Sequence, residues 1–193
     1  HLFGNVMLHS INKGIFFIII YKLLSIAKKD TKKSYLFIGA VVAALLWSLH
    51  PLRVEVVAWV AERKELLSTH FMLASVVNYL IYKTSKKKFY YVMSIGLSIS
   101  ALASKPSAVI LPIILILIDI YPLKVKAKEF KHILIEKAPY FLGSFLVGIL
   151  AIVGQSNVQA IASLSQLSLM SRFFGIFYRL TFYIKKTLIP LYL

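Results

Sequence analysis

Lys28-Lys29-Asp30-Thr31-Lys32-Lys33 leads directly into Ser34-Tyr35-Leu36-Phe37-Ile38-Gly39-Ala40-Val41-Val42-Ala43-Ala44-Leu45-Leu46-Trp47-Ser48-Leu49, and that run ends at His50-Pro51. A basic cluster, an uncharged apolar run and a proline stop follow one another within a short stretch. Proline disfavours helical geometry in the residue before it, so a helix built on this run ends at His50. The run approaches the roughly 20 apolar residues needed to span hydrocarbon.

The same arrangement recurs along the chain. Apolar stretches are read at about 3–27, 34–49, 66–82, 89–103, 107–121, 138–154 and 171–189. Several are short for a span, which predicts tilted or partly recessed helices. The chain is 59% hydrophobic, with a mean hydropathy of +0.79, against about 45–50% apolar residues in soluble domains. The fold class expected is an all-α integral membrane protein, a multi-pass helical bundle of about seven transmembrane helices. No repeat, linker or low-complexity segment divides it, so residues 1–193 read as a single membrane domain.

Charge supplies the orientation. The formal net charge is +16, which in a soluble protein would suggest nucleic acid. Here the lysines gather in connections between apolar runs, so no nucleic-acid partner is expected. Lys28, Lys29, Lys32 and Lys33 fill loop 28–33, and Lys83, Lys86, Lys87 and Lys88 fill loop 83–88. Segment 124–137 holds Lys124, Lys126, Lys128, Lys131 and Lys137. The intervening connections, 50–65, 104–107 and 155–170, hold only Arg53, Arg63, Lys64 and Lys105. Rich and poor loops alternate, which places the rich loops in the cytoplasm and the poor ones outside. Seven crossings then put residue 1 outside and residue 193 inside, in a bacterial inner membrane. An external start is odd for a native N-terminus, so an upstream helix and external loop are expected before His1. The absence of cysteine excludes disulfides, thiol catalysis and Cys-based zinc sites.

The polar residues concentrate towards the external side. After Pro51, Leu52, Val56, Trp59 and Val60 mark the apolar side of a short helix, while Glu55 and Glu62 share another. This pattern fits an interfacial helix. Its acids and bases form the rim of a site, or simply pair with one another. In the first helix Asn5, His9 and Asn12 stand at i, i+4 and i+7, one turn on from His1 and beside Lys13. Polar groups at membrane depth face protein or a water-filled cavity. This stripe is therefore a cavity wall or a set of interhelical bonds. No acidic residue lies at ligand spacing from these histidines, and no metal is assigned. Lys105 precedes Pro106 in a tight external turn, where a cation can meet a lipid phosphate or snorkel to the interface. Arg172 and Arg179 share a face of the last run, with Arg179 deep enough to need a partner. Asp119, beside Tyr121-Pro122, reads as a structural helix end. There is no phosphate-binding glycine loop, no G-x-S-x-G elbow and no H-E-x-x-H helix.

The stretch from His50 to Thr69, HPLRVEVVAWVAERKELLST, resembles the HPxxxExVAWxxxRxDxLS segment of TPR-containing transmembrane O-mannosyltransferases, members of the GT-C glycosyltransferases. His1 to Asn12 is similar to that family's H-x3-N-x3-H-x2-N helix. Ser104-Lys105-Pro106, Leu111-Pro112 and Asp119-Ile120-Tyr121-Pro122-Leu123 are similar to its SKP…LP…LLDYWPL helix. Tyr183 to Pro190 resembles its Y-x-x-K-x-x-x-P segment. The match covers most of the chain in order.

The resemblance implies a GT-C-like fold with an extracytoplasmic active site. It implies a polyprenyl-phosphate sugar donor, mannosyl by preference, within the membrane lipid. The acceptor implied is a protein hydroxyl or another extracytoplasmic group, and transfer inverts the anomeric centre. A carboxylate in the first external loop would act as general base, and basic side chains would stabilise the departing phosphate. That loop would precede His1 and a TPR array would follow Leu193, so the excerpt alone is expected to be inactive, with no catalytic residue of its own. Carried over as substrate-binding residues are His50, Glu55, Arg63, Lys105, Asn5 and His9. Glu55 is expected to position acceptor or sugar, Arg63 to contact phosphate or pair with Glu55 or Glu62, and Lys105 to contact phosphate. Glu65 stands where the family commonly has Asp. The rival readings are a multi-pass transporter or lipid flippase, expected to show broken helices in paired halves, and a non-catalytic membrane scaffold.

Overall fold

The computed structural model describes residues 2–125, 128, 130–157 and 168–190. Within them the chain is all-helical, without a strand. The helices are α1 (Leu2–Ala27), α2 (Lys33–Ser48), α3 (Val54–Ala58), α4 (Arg63–Ser85), α5 (Lys88–Ser104), α6 (Leu111–Ile120), α7 (Phe130–Asn157) and α8 (Leu169–Leu188). Single 3₁₀ turns at Pro51–Arg53, Val60–Glu62 and Pro106–Ile110 link the pieces of the short connections.

The apolar runs become helices within a few residues of the expected limits, with one exception. α7 begins at Phe130, well before the expected start at 138, and continues through Pro139. A proline removes one i→i−4 bond and need not end a helix that neighbouring helices support. Lys131 and Lys137 are therefore helical, and Lys137 is completely buried. Reading Lys137 as a loop lysine is corrected accordingly.

Six helices run alternately between two ends of the bundle. α1 and α4 are parallel neighbours: Asn5 meets Arg63, and Asn12 meets Leu66 and His70. α2 returns along α1, with Phe17 against Phe37 and His9 against Trp47. α5 returns along α4, where Ser75 and Ser94 exchange hydrogen bonds of 2.8 Å through their hydroxyls and carbonyls. Small serines allow this close approach, which is how helices associate in a bilayer, where apolar side chains gain little by leaving lipid. Ile19, Val76, Tyr79, Leu80, Leu111, Leu115, Ile118 and Tyr140 form the main core.

The exterior is apolar. Phe3, Phe37, Ile38, Leu46, Phe89, Val92, Phe145 and Leu150 are all more than half exposed, while Asn5, Asn12, Asp119 and Lys137 are fully buried. Such large apolar surfaces mark a partner or a membrane. α1 and Lys131–Ser156 of α7 are each long and apolar enough to cross a bilayer. The pair α2 and Pro51–Ala58, bent by 57°, makes a third if it is one broken span. About seven spans were expected; two or three helical units meet that test among the described residues.

α8 departs from the expected path. A seventh crossing would carry its C-terminal end to the side opposite His50. Instead Thr187 lies against His50, so α8 ends at the same side as the 50–65 connection. Of the expected external loop 155–170, residues 158–167 lie outside the described residues, as do His1, Lys126 and residues 191–193.

Candidate functional site

The 50–65 connection folds over the ends of α1 and α2, and each bend has an identifiable cause. His50 is extended, and its Nδ1 accepts the Leu52 N–H at 3.2 Å, capping the 3₁₀ turn that Pro51 opens. With Nδ1 accepting, the neutral ring carries its proton on Nε2, which lies 3.0 Å from the Thr187 carbonyl and donates to it. α3 ends at Trp59, where the backbone turns extended.

Asn5 closes this bend from α1. Its Nδ2 donates to the carbonyls of Val57 and Trp59, both at 3.2 Å, so groups that a broken helix leaves without partners are satisfied. Its Oδ1 accepts from Arg63 Nε at 3.0 Å. One turn along α1, His9 Nε2 is 3.1 Å from the Ser48 carbonyl and its ring stacks on Trp47. Asn12, fully buried, donates to Leu66 O at 2.9 Å and meets His70 Nδ1 at 3.0 Å. The i, i+4, i+7 stripe thus faces protein along its length.

A cavity of about 320 Å³ opens beneath α3. His9, Ser48, His50 and Arg53 contribute its polar groups, and Leu2, Leu49, Val54, Val57 and Ala58 its apolar wall. The Arg53 guanidinium sits 4.7 Å over the Trp47 ring, a favourable cation–aromatic contact. Burial holds the Arg53 guanidinium below its ordinary value, with the Glu65 carboxylate opposing that shift. A second cavity of about 390 Å³ lies on the other side of His50, between Leu45, Leu46 and Leu49 of the α2 end and Thr187, Leu188 and Pro190. His50 is therefore a shared wall. The larger groove along Leu134–Phe145 of α7 is lined only by apolar side chains and holds no group able to do chemistry.

Across the connection, Lys105 forms ion pairs with Glu62, at 3.4 Å, and with Glu65. The Glu65 contact holds the Lys105 ammonium above its ordinary value, against a smaller opposing effect of burial, with Glu62 adding to the rise. The three acids of the connection therefore divide. Glu62 and Glu65 are engaged, whereas Glu55 is exposed and has no side-chain partner among the described residues.

The structure brings Asn5 and Arg63 together, and places His9 and His50 on one cavity. Lys105 comes to the same end with its charge balanced by two carboxylates, which differs from the open phosphate contact expected. Arg63 bonds to Asn5, a partner not anticipated for it. Arg53 lines the cavity but was not singled out from the sequence; its place three residues after His50, in the turn started by Pro51, was the available signal.

A second polar cluster lies at the opposite end. Tyr79 OH is 2.6 Å from Asp119 Oδ2 and 2.7 Å from Glu136 Oε1. Lys137 Nζ reaches Asp119 at 2.7 Å and Glu136 at 2.6 Å, and also meets the Tyr79 hydroxyl. Lys83 reaches Asp119 at 3.3 Å and Glu136 at 3.1 Å. Two lysines balance two carboxylates, and among the described residues no buried side-chain nitrogen or oxygen lacks a partner. Asp119 is a helix-end residue, as expected, but the balanced charges identify the cluster as a clasp joining α4, α6 and α7. Among the described residues no three His, Asp or Glu side chains converge on a metal position.

The chain matches no protein-family model, no curated protein and no solved structure.

Proposed function

We propose that this chain belongs to the membrane domain of a GT-C-type glycosyltransferase. The enzyme transfers a sugar, mannose in the first instance, from a polyprenyl-phosphate donor to a hydroxyl of an extracytoplasmic acceptor protein. The bundle sits in a bacterial inner membrane with the 50–65 and 104–107 connections outside, an orientation that the lysine-rich 28–33 and 83–88 connections at the opposite end support.

The observation that carries this reading is the sorting of charge around one cavity. Arg53 faces a pocket that it shares with His9, Ser48 and His50 and whose remaining wall is apolar, while Glu55 stays unengaged one residue beyond Val54 of that wall. A lipid-phosphate donor needs that combination: apolar surface for the chain and a cation for the phosphate, whose negative charge grows as the sugar departs. Arg53 supplies the cation, because the Nε2 atoms of His9 and His50 already meet the carbonyls of Ser48 and Thr187. Glu55 positions the acceptor or the sugar. Asn5 and Arg63 hold the connection in place. Lys105, neutralised by Glu62 and Glu65, reaches phosphate only by exchanging those partners.

The transporter reading has one observation in its favour, the ion cluster of Lys83, Asp119, Glu136 and Lys137. Ionisable residues inside membrane bundles often mark ion or substrate paths. Its charges balance, which favours a structural role, while Lys83 and Glu136 also line a cavity of about 260 Å³ with Lys86 and His132. The test is transfer of label from a radiolabelled polyprenyl-phosphate sugar to protein by the full-length parent in membranes. Label in protein supports the glycosyltransferase; no transfer from any such donor by folded protein favours the transporter or the scaffold.

A further inference from the structure

α8 is the most strongly amphipathic of the long helices among the described residues. Arg172, Gly175, Arg179 and Lys186 follow one another at spacings of three, four and seven, on one stripe. Met170, Phe173, Phe177, Leu180, Ile184 and Leu188 form a continuous apolar stripe on the other side, every member more than half exposed. No acidic residue occurs in the helix.

Two orientations in a bilayer are open to such a helix. If α8 crossed the membrane, Arg179 would sit midway between Arg172 and Lys186, near the hydrocarbon centre, where a cation is costly. If it lies flat, every cation of the stripe reaches the headgroups while the whole apolar stripe enters the acyl chains. The structure favours the flat arrangement: Thr187 near the end of α8 is held at the His50 side of the bundle, and α7 leaves the bundle at that same end, where Val147 packs on Ala101, Leu102 and Ala108.

We propose that α8 is an interfacial helix in the leaflet on the His50 side, its basic stripe bound to the phosphates of anionic phospholipid. The occupant is the lipid surface itself, by complementarity of a stripe that holds three cations and no acid to negative headgroups. The inference rests on the membrane reading and is independent of sugar transfer.

The chain has no cysteine, so single-cysteine variants report unambiguously. Nitroxide labels at Phe173→Cys, Phe177→Cys, Leu180→Cys and Ile184→Cys would be read by collision depth, in the whole protein reconstituted into phosphatidylcholine vesicles with or without phosphatidylglycerol. The expected result is one shared depth just below the phosphates. With phosphatidylglycerol, hydrogen exchange along α8 should be several-fold slower, and the combined substitution of Arg172, Arg179 and Lys186 by Gln should abolish that difference. A depth that runs progressively through the bilayer centre from Phe173 to Ile184 would overturn the proposal. So would labels buried in protein, or exchange that ignores phosphatidylglycerol. None of these results bears on transfer activity, which is read separately.

Discussion

Arg63 Nε donates to Asn5 Oδ1 at 3.0 Å, joining the first turns of α1 and α4 at the point where the chain between them is broken. The same amide gives both hydrogens to the carbonyls of Val57 and Trp59. One fully buried side chain thus fixes the connection that carries His50, Arg53 and Glu55.

Replacing Asn5 by Leu keeps the branching of the side chain and removes every one of these bonds. Each buried group left without a partner costs about 1–3 kcal/mol. The expected outcome is a clear fall in thermal stability in detergent, with faster proteolysis within 57–63. An unchanged melting temperature would show that the connection is held by other contacts.

The Lys105 pair with Glu65 and Glu62 has a defined pH signature. Its folded-state value lies above the ordinary 10.5, so its stabilising contribution is fully present below the unfolded value. That contribution is lost as pH rises through the folded value. Lys105→Gln should therefore be less stable than the parent at neutral pH, and the two should converge in the alkaline range above 10.5. Parallel stability curves throughout would contradict the pairing.

Lys137 is fully buried between Asp119 and Glu136. Lys137→Met should destabilise the bundle by about 3–5 kcal/mol, because removing one partner leaves an uncompensated buried charge. Adding Asp119→Asn restores the balance with Lys83 and Glu136, and should recover much of the loss in a double-mutant cycle. Additive losses would mean that the two residues are not coupled.

His50→Ala removes the only described hydrogen bond from His50 to α8, the one to Thr187. A single neutral bond contributes about 0.5–1.5 kcal/mol. The helices of the bundle should keep their stability, while hydrogen exchange accelerates at the end of α8 and at Leu52, in the turn that His50 caps. Uniform acceleration across the bundle would show that His50 holds more than α8.

Much of this arrangement was legible from the residues. The helices follow from uncharged runs between lysine clusters, the break after α2 from Pro51, and the inward face of α1 from the spacing of Asn5, His9 and Asn12. The Lys83, Asp119, Glu136 and Lys137 cluster was not legible, because its members come from three helices and two of its lysines resemble loop residues of the positive side. The early start of α7 was hidden by Pro139 together with Lys131 and Lys137. The direction of α8 depends on His50 meeting Thr187, a contact over a long sequence separation that no local pattern encodes. The resemblance of His50–Thr69 to a glycosyltransferase segment passed over Arg53, which lines the cavity beneath α3.

Glu55 decides the central claim. It is exposed and makes no side-chain contact among the described residues, so Glu55→Gln should leave folding and membrane insertion intact. In the full-length parent, supplied with a radiolabelled polyprenyl-phosphate sugar and acceptor protein, the account predicts label in protein for the unaltered enzyme and loss of most of it for Glu55→Gln. Near-normal transfer by the folded variant would remove Glu55 from the site and contradict the account.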